Sequence, residues 1–129
     1  MHIILDSDII IECLRGNATI IAALKKHAHA GALISYTVIS PAEIHAGMRA
    51  REAKAVGAFF QSIHFLPFDE AIGIKAGEYL QRFAKSHAIE IADALIAAAT
   101  AVSGGALLTL NKKHYPMRDF EVLLIDTER

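Results

Sequence analysis

Short apolar runs of strand length alternate with longer segments of helical periodicity along almost the whole chain. Parallel strands need long crossover connections, which are usually helices that cover both faces of the sheet. The runs 3–5 and 106–108 are continuously apolar, as expected for strands that are buried on both faces. The alternation therefore predicts an α/β fold, a three-layer α/β/α sandwich with a central, mainly parallel sheet of four or five strands. Strand order does not follow from this pattern.

The ends of the predicted elements are set by capping and turn residues. Asn17 and Asp69 precede helical stretches as N-caps, and Gly16, Gly31 and the pair Gly104-Gly105 follow helical stretches as stops. Strands are predicted at 2–5, 32–36, 64–66, 106–110 and 122–125. Helices are predicted at 8–14, 18–30, from 40 onward, near 56–63, at 69–85 and at 91–102.

Composition limits the possible classes of protein. A chain of 129 residues predicts one domain, 1–129. Its hydrophobic share of 53% exceeds the usual apolar share of about 45 to 50%, so some apolar surface is expected to meet a partner. No apolar run is long enough to span a membrane and no signal peptide is visible, so we expect a cytoplasmic protein. Cys13 lies in an apolar helical stretch and is expected to be a core residue rather than a nucleophile.

Four polar residues with side-chain oxygens stand at the edges of apolar segments. Asp6 and Asn111 follow predicted strands, whereas Glu43 and Asp93 open predicted helices. Ligands of open α/β sheets bind beside the carboxyl ends of the strands. Hard oxygen ligands that meet in one crevice would suit Mg²⁺ or Mn²⁺.

Each of these residues also has a purely structural interpretation. Asp6 and Asp93 suit helix starts, and Asn111 suits a turn. Glu43 has the strongest alternative, because Ser40-x-x-Glu43 with Pro41 at the first helical position has the pattern of a capping box. Spacing alone favours capping at Glu43.

Four ordered motifs carry a resemblance to a known family: Leu5-Asp6-Ser7-Asp8-Ile9-Ile10-Ile11, Ser40-Pro41-Ala42-Glu43-Ile44, Ala92-Asp93-Ala94-Leu95-Ile96-Ala97-Ala98, and Leu108-Thr109-Leu110-Asn111. Together they resemble PIN-domain proteins and, more narrowly, the VapC toxins of toxin-antitoxin pairs. The resemblance implies a metal-dependent ribonuclease, usually a homodimer, that a VapB-type antitoxin holds inactive. It implies that Asp6, Glu43 and Asp93 are the principal acids and that Asn111 assists them.

Further residues have predicted supporting roles. Asp8 and Glu90 are possible additional metal ligands or acids that orient the ligands, and His114 stands where relatives often carry another Asp. No histidine has the spacing of a zinc site. Because the net charge is only −1, RNA contact would depend on the metal site and on local cations. The candidates are Arg15, Arg49, Arg51, Lys112, Lys113 and His114.

The predicted activity is hydrolysis of RNA phosphodiester bonds at a divalent-metal site built by Asp6, Glu43, Asp93 and Asn111. One alternative is a PIN-like module that binds a partner and does no chemistry. Another is a phosphatase of the haloacid dehalogenase type that uses Asp6 as its nucleophile, although the downstream motifs of that class are missing from the sequence.

Overall fold

All five strands of the central sheet run parallel. In the computed structural model, which describes residues 1–125, the strand order is β3-β2-β1-β4-β5. Ile3 pairs with Ile34 on one side and with Ala106 on the other, which places β1 at the centre of the sheet. The strands are β1 (His2–Leu5), β2 (Leu33–Tyr36), β3 (His64–Phe65), β4 (Ala106–Leu108) and β5 (Glu121–Leu123). Residues 126–129 of the predicted domain lie outside the described part of the chain.

Helices cover both faces of the sheet, which confirms the predicted three-layer α/β/α sandwich. They are α1 (Ser7–Leu14), α2 (Ala18–His29), α3 (Ile39–Gly47), α4 (Ala53–Gln61), α5 (Glu70–His87) and α6 (Ile91–Ser103). Ile4 and Leu107 pack with residues of α5 and α6 on one face, whereas Ile3 and Leu5 pack with residues of α1 to α4 on the other. Side chains of successive strand residues point to opposite faces, so one short strand contributes to both cores.

The sheet changes its direction of growth between β1 and β4. From β1 the chain adds β2 and β3 on one side, and it then returns to add β4 and β5 on the other. Such a reversal leaves a crevice beside the carboxyl ends of the two central strands, where open α/β sheets bind ligands. Asp6 and Thr109 directly follow β1 and β4 and therefore lie at this switch point.

Most of the predicted helix signals are confirmed. Asn17 and Asp69 cap α2 and α5, accepting hydrogen bonds from the amides of Ile20 and Ile72 at 3.3 and 2.9 Å. Gly31 and Gly104 adopt positive φ angles of 93° and 71° just after helices, as the stop prediction requires.

Several predicted boundaries are wrong by a few residues. The helix predicted near 56–63 begins at Ala53 and ends at Gln61, and α5 continues to His87. The strand predicted at 106–110 ends at Leu108, because the backbone amide of Leu110 binds a side chain and takes no part in a strand ladder. Among residues 1–125, no helix is both long and apolar enough to cross a membrane.

The structure excludes the alternative in which Ser40 and Glu43 form a capping box. Helix α3 begins at Ile39, before Ser40, so Ser40 and Pro41 are its second and third residues and Glu43 lies in its second turn. Ser40 is fully buried, and its hydroxyl lies 2.9 Å from the hydroxyl of Ser7 in α1. Its side chain is therefore used for packing between two helices, and the Glu43 carboxylate is not engaged in capping.

Candidate active site at the carboxyl edge of the sheet

Asp6 is held rigidly at the end of β1 by three hydrogen bonds to its carboxylate. The backbone amide of Ser7 donates to Oδ1 at 2.8 Å, so Asp6 does cap α1. The hydroxyls of Thr109 and Tyr115 both donate to Oδ2 at 2.8 Å. Each carboxylate oxygen accepts about two hydrogen bonds, so Oδ1 retains acceptor capacity on the open side of the residue. Capping and ligand binding are compatible at Asp6.

Asp8 has one carboxylate oxygen that is buried without a partner. Its Oδ2 accepts hydrogen bonds from the amide of Leu110 at 3.1 Å and from the Thr109 hydroxyl at 3.4 Å. Its Oδ1 has no donor and is the one such buried side-chain atom among residues 1–125. Burial and the neighbouring Asp6 carboxylate raise the pKa of Asp8 to about 6. A desolvated anion of this kind is costly unless a cation or a proton compensates its charge.

Asp93 belongs to the same electrostatic cluster, although it comes from the opposite helical layer. It lies in the first turn of α6 and is partly buried. Burial raises its pKa, and the charges of Asp6 and Glu90 act in the same direction, against His114. Asp6, Asp8 and Asp93 also all raise the pKa of Tyr115, for which burial is the main cause. We call Asp6, Asp8 and Asp93 the acidic cluster.

Asn111 and His114 stand next to the acidic cluster in the loop after β4. The Asn111 carboxamide nitrogen lies 3.2 Å from Nε2 of His114, and Nδ1 of His114 lies 3.8 Å from Oδ2 of Asp93. The backbone amide of Asn111 donates to the Thr109 hydroxyl at 3.0 Å. The structure therefore connects Asn111 to Asp6 through Thr109 and to Asp93 through His114.

Glu43 lies on α3, and no contact among residues 1–125 joins its carboxylate to the acidic cluster. It is exposed, and its carboxylate accepts no hydrogen bond from residues 1–125. It lies one helical turn after Ser40, whose hydroxyl contacts Ser7, the residue between Asp6 and Asp8. Glu90 caps α6 with its backbone only and is exposed.

A family comparison identifies the fold to which these residues belong. The family model described as PIN domain matches residues 3–119. The chain belongs to the PIN domain family. The match covers all four motifs that carried the predicted resemblance, and it leaves the haloacid dehalogenase alternative without support.

Two similar sequences come from Mycobacterium tuberculosis (strain ATCC 25618 / H37Rv). This PIN domain is 36% identical to ribonuclease VapC10 over 118 residues, which is 89% of this chain and 86% of that protein. It is 32% identical to ribonuclease VapC19 over 115 residues, which is 88% of this chain and 92% of that protein. The predicted resemblance to VapC proteins is confirmed.

Solved structures support the same fold at lower identity. VapBC2 from Rickettsia felis, bound to a DNA fragment from its promoter, matches with a TM-score of 0.82 at 20% identity and covers 98% of this chain and 100% of that one. DNA-bound VapBC from Salmonella typhimurium matches with a TM-score of 0.82 at 16% identity and covers 96% of this chain and 98% of that one.

The oxygen donors of this PIN domain fit a divalent cation. Among residues 1–125, no three His, Cys, Asp or Glu side chains already form a metal-binding group. The orphaned Oδ1 of Asp8 nevertheless lacks the compensating partner that a cation would supply. Because carboxylates are hard ligands, the chemistry suits Mg²⁺ or Mn²⁺.

Sequence reasoning missed Thr109 and Tyr115, which hold Asp6 in place. Thr109 lies within the last of the four motifs, which assigns it no role, and Tyr115 is buried four residues after Asn111. No local signal marks either residue, because Thr109 falls inside the predicted strand 106–110 and Tyr115 lies outside the four motifs. Their role depends on the strand order, which brings β4 beside β1.

The predicted RNA-contacting residues fall into two groups. Arg15 is exposed and forms an ion pair with Glu12 at 3.1 Å. Arg15 and Arg51 line a cavity together with Glu43, on the side of α1, α3 and α4. The exposed Arg49 precedes a short 3₁₀ turn, Ala50–Glu52. The second group, Lys112, Lys113 and His114, forms a 3₁₀ turn beside the acidic cluster.

Asp8 gives the stability of this PIN domain a specific pH dependence. Its pKa in the folded chain, about 6, exceeds the ordinary value of 3.8. Ionisation of Asp8 therefore destabilises the folded domain. The stability associated with the protonated form is complete below pH 3.8 and is lost as pH rises through about 6. In chelator, we expect Asp8→Asn to raise the free energy of unfolding by about 1–2 kcal/mol at pH 7, less than the full pKa shift implies because solvent screens the partly exposed side chain, and by little at pH 4. Urea unfolding at both pH values measures this difference.

Asp119→Asn is the matched control, because the pKa of Asp119 is shifted in the opposite direction to that of Asp8. Hydrogen bonds from Lys75 and Tyr79 outweigh the effect of burial and lower the pKa of Asp119. Its stabilising contribution is present at neutral pH and is lost on acidification, so the substitution should destabilise the domain at pH 7. Parallel pH profiles for wild-type protein and Asp8→Asn would contradict the assigned role of Asp8.

Proposed function

We propose that this PIN domain is a metal-dependent endoribonuclease, the toxin component of a type II toxin-antitoxin system. The observation that carries the proposal is the acidic cluster at the switch point of the sheet, with a buried Asp8 oxygen that has no partner in residues 1–125. Membership of the PIN domain family and similarity to ribonucleases VapC10 and VapC19 support the same activity.

The residues have distinct proposed roles. Asp6, Asp93 and Glu43 are the metal ligands, and Asp8 and Glu90 are further candidates for that role. Asn111 assists, since a carboxamide can hold a metal or its water but adds no negative charge. A bound Mg²⁺ or Mn²⁺ ion would supply water activation and stabilisation of the oxygens that attack and leave phosphorus.

The remaining groups prepare the carboxylates for this chemistry. Thr109 and Tyr115 fix Oδ2 of Asp6, so the open acceptor capacity of Oδ1 keeps one orientation. Leu110 and Thr109 do the same for Asp8 through its Oδ2. His114 is exposed and contacts both Asp93 and Asn111, where it can donate to a phosphate oxygen that enters the site.

A proteinaceous antitoxin of the VapB type is the proposed regulatory partner. An apolar cavity of about 610 Å³ lies between α2, α4 and the start of β2, lined by residues such as Ile21, Leu24 and Phe59. Apolar grooves of this kind bind the apolar face of an amphipathic helix. We also propose that the protein acts in the cytoplasm and assembles as a homodimer.

Cleavage of RNA in the presence and absence of metal tests the proposed activity. We expect the purified domain to cleave single-stranded RNA with Mg²⁺ or Mn²⁺ and to be inactive in chelator. Calorimetry with Mn²⁺ should show binding to wild-type protein and at least about tenfold weaker binding to Asp93→Asn, because a ligating charge is lost. Glu43→Gln tests the α3 carboxylate in the same way.

Three outcomes would contradict the proposal or part of it. Full cleavage in chelator would exclude metal dependence. Steady hydrolysis of a generic phosphomonoester without RNA cleavage would indicate a phosphatase. Absence of both cleavage and Mn²⁺ binding would leave the module that binds partners without chemistry.

A further inference from the structure

Another cavity lies beside the acidic cluster and has a cationic rim. It has a volume of about 710 Å³ and includes Tyr115 and Phe120 in its apolar floor. Four residues at the rim can carry positive charge: His87, Lys112, Lys113 and Arg118. We call this the basic cavity.

The cationic side chains of the basic cavity have no carboxylate among the lining residues that the structure describes. Within residues 1–125, Lys112, Lys113 and Arg118 form no ion pair. All four rim residues are exposed. The chain as a whole has a net charge of −1, so this concentration of cations departs from its average. A cavity with such a rim attracts anionic ligands.

Tyr115 joins the basic cavity to the proposed active site. Its side chain lines the cavity, and its hydroxyl donates to Oδ2 of Asp6 at 2.8 Å. The two sites are thus separated by the length of one tyrosine side chain. His114 directly follows the two rim lysines in the same 3₁₀ turn, and its Nδ1 lies 3.8 Å from Oδ2 of Asp93. A chain of phosphates that enters the acidic cluster can therefore continue over the rim.

We infer that the basic cavity holds the nucleotide of single-stranded RNA that adjoins the scissile phosphate. This inference rests on the proposed ribonuclease function and adds a substrate-binding subsite to it. The rim cations bind the backbone phosphates, and the partly buried Phe120 ring offers a surface for a base. Single-stranded RNA fits better than a duplex, because its unstacked bases can enter a cavity with an aromatic wall.

RNA binding by a catalytically silent protein tests the inference. The background is Asp6→Asn, and the probe is a fluorescent single-stranded RNA that the wild-type enzyme cleaves. Lys113→Ala combined with Arg118→Ala should weaken binding about tenfold or more and reduce the slope of log affinity against log salt by about 1.4. The matched control combines Lys25→Ala with Lys26→Ala, which removes the same charge from exposed positions of α2.

A second variant tests the proposed base contact. Phe120→Leu keeps apolar volume in the floor and removes the aromatic ring. We expect about fivefold weaker RNA binding with an unchanged salt slope, because stacking releases no counterions.

The outcomes separate this inference from the proposed function. Equal RNA affinities and salt slopes for the cavity pair and the α2 pair would overturn the inference, while cleavage by wild-type protein would leave the ribonuclease proposal in place. If wild-type protein neither cleaves nor binds RNA, both are wrong. If polyglutamate binds through Lys113 and Arg118 while RNA binding is unaffected by their removal, the cavity serves an acidic protein partner instead.

Discussion

Asp6→Asn is expected to lower the rate of RNA cleavage about a hundredfold to a thousandfold, a loss of about 3–4 kcal/mol in transition-state stabilisation. Asparagine keeps the shape of the side chain, and its one oxygen can accept the hydrogen bonds of Thr109 and Tyr115 at the cost of the hydrogen bond from the Ser7 amide. It removes the negative charge on which the proposed metal site depends. The measurement is cleavage of single-stranded RNA with saturating Mn²⁺, with thermal unfolding recorded in parallel.

Asp69→Asn is the matched control for this experiment. Asp69 caps α5 as Asp6 caps α1, and asparagine is an equally good cap. The substitution should leave both cleavage and unfolding temperature unchanged. Wild-type rates from Asp6→Asn would overturn the mechanism, and an equal loss in both variants would indicate that the effect is not local to the active site.

The largest expected effect on stability is at Gly105. A Cβ atom there would lie 2.6 Å from Cδ1 of Ile4 and 2.7 Å from the backbone oxygen of His2. The His2 backbone is held in β1, which pairs with a strand on each side, so it cannot move without disturbing the sheet. We expect Gly105→Ala to lower the free energy of unfolding by about 3 kcal/mol, as measured by urea denaturation.

Two other glycines give the comparison that isolates this contact. Gly104 has open space around it but a φ of 71°, so Gly104→Ala should cost only about 1–2 kcal/mol. Gly77 lies in α5 with nothing nearby, and Gly77→Ala should stabilise the domain by about 0.5–1 kcal/mol. If Gly105→Ala is no worse than Gly104→Ala, the close approach to β1 is not the reason for glycine at that position.

The pair Gly104-Gly105 illustrates the limit of sequence reasoning about single positions. The sequence predicts that the two glycines together end the helix, and α6 does end at Ser103, directly before Gly104. Only Gly104 has the backbone conformation of a stop, whereas Gly105 is required by contact with a strand about a hundred residues earlier. Local patterns do not contain contacts between distant segments.

In the candidate site, too, local sequence patterns indicate some residues, whereas contacts between distant segments are needed to identify others. Segment edges and ordered motifs in the sequence indicate Asp6, Glu43, Asp93 and Asn111. They do not indicate the supporting hydroxyls of Thr109 and Tyr115, because the roles of these two residues depend on β4 lying beside β1. The spacing of Ser40 and Glu43 favours a capping role for Glu43, which the structure excludes because α3 begins at Ile39 and Ser40 packs against Ser7.

The sequence alone determined the fold class, most of the helix ends and the family, because periodicity, caps and ordered motifs are local properties of the chain. The tertiary structure decided the strand order and therefore the neighbours of Asp6. It also placed Asp8 where burial and a second carboxylate raise its pKa, and it placed Tyr115 between the acidic cluster and the basic cavity. Burial and charge proximity are properties of packing, and packing brings together residues that the sequence separates by more than a hundred positions.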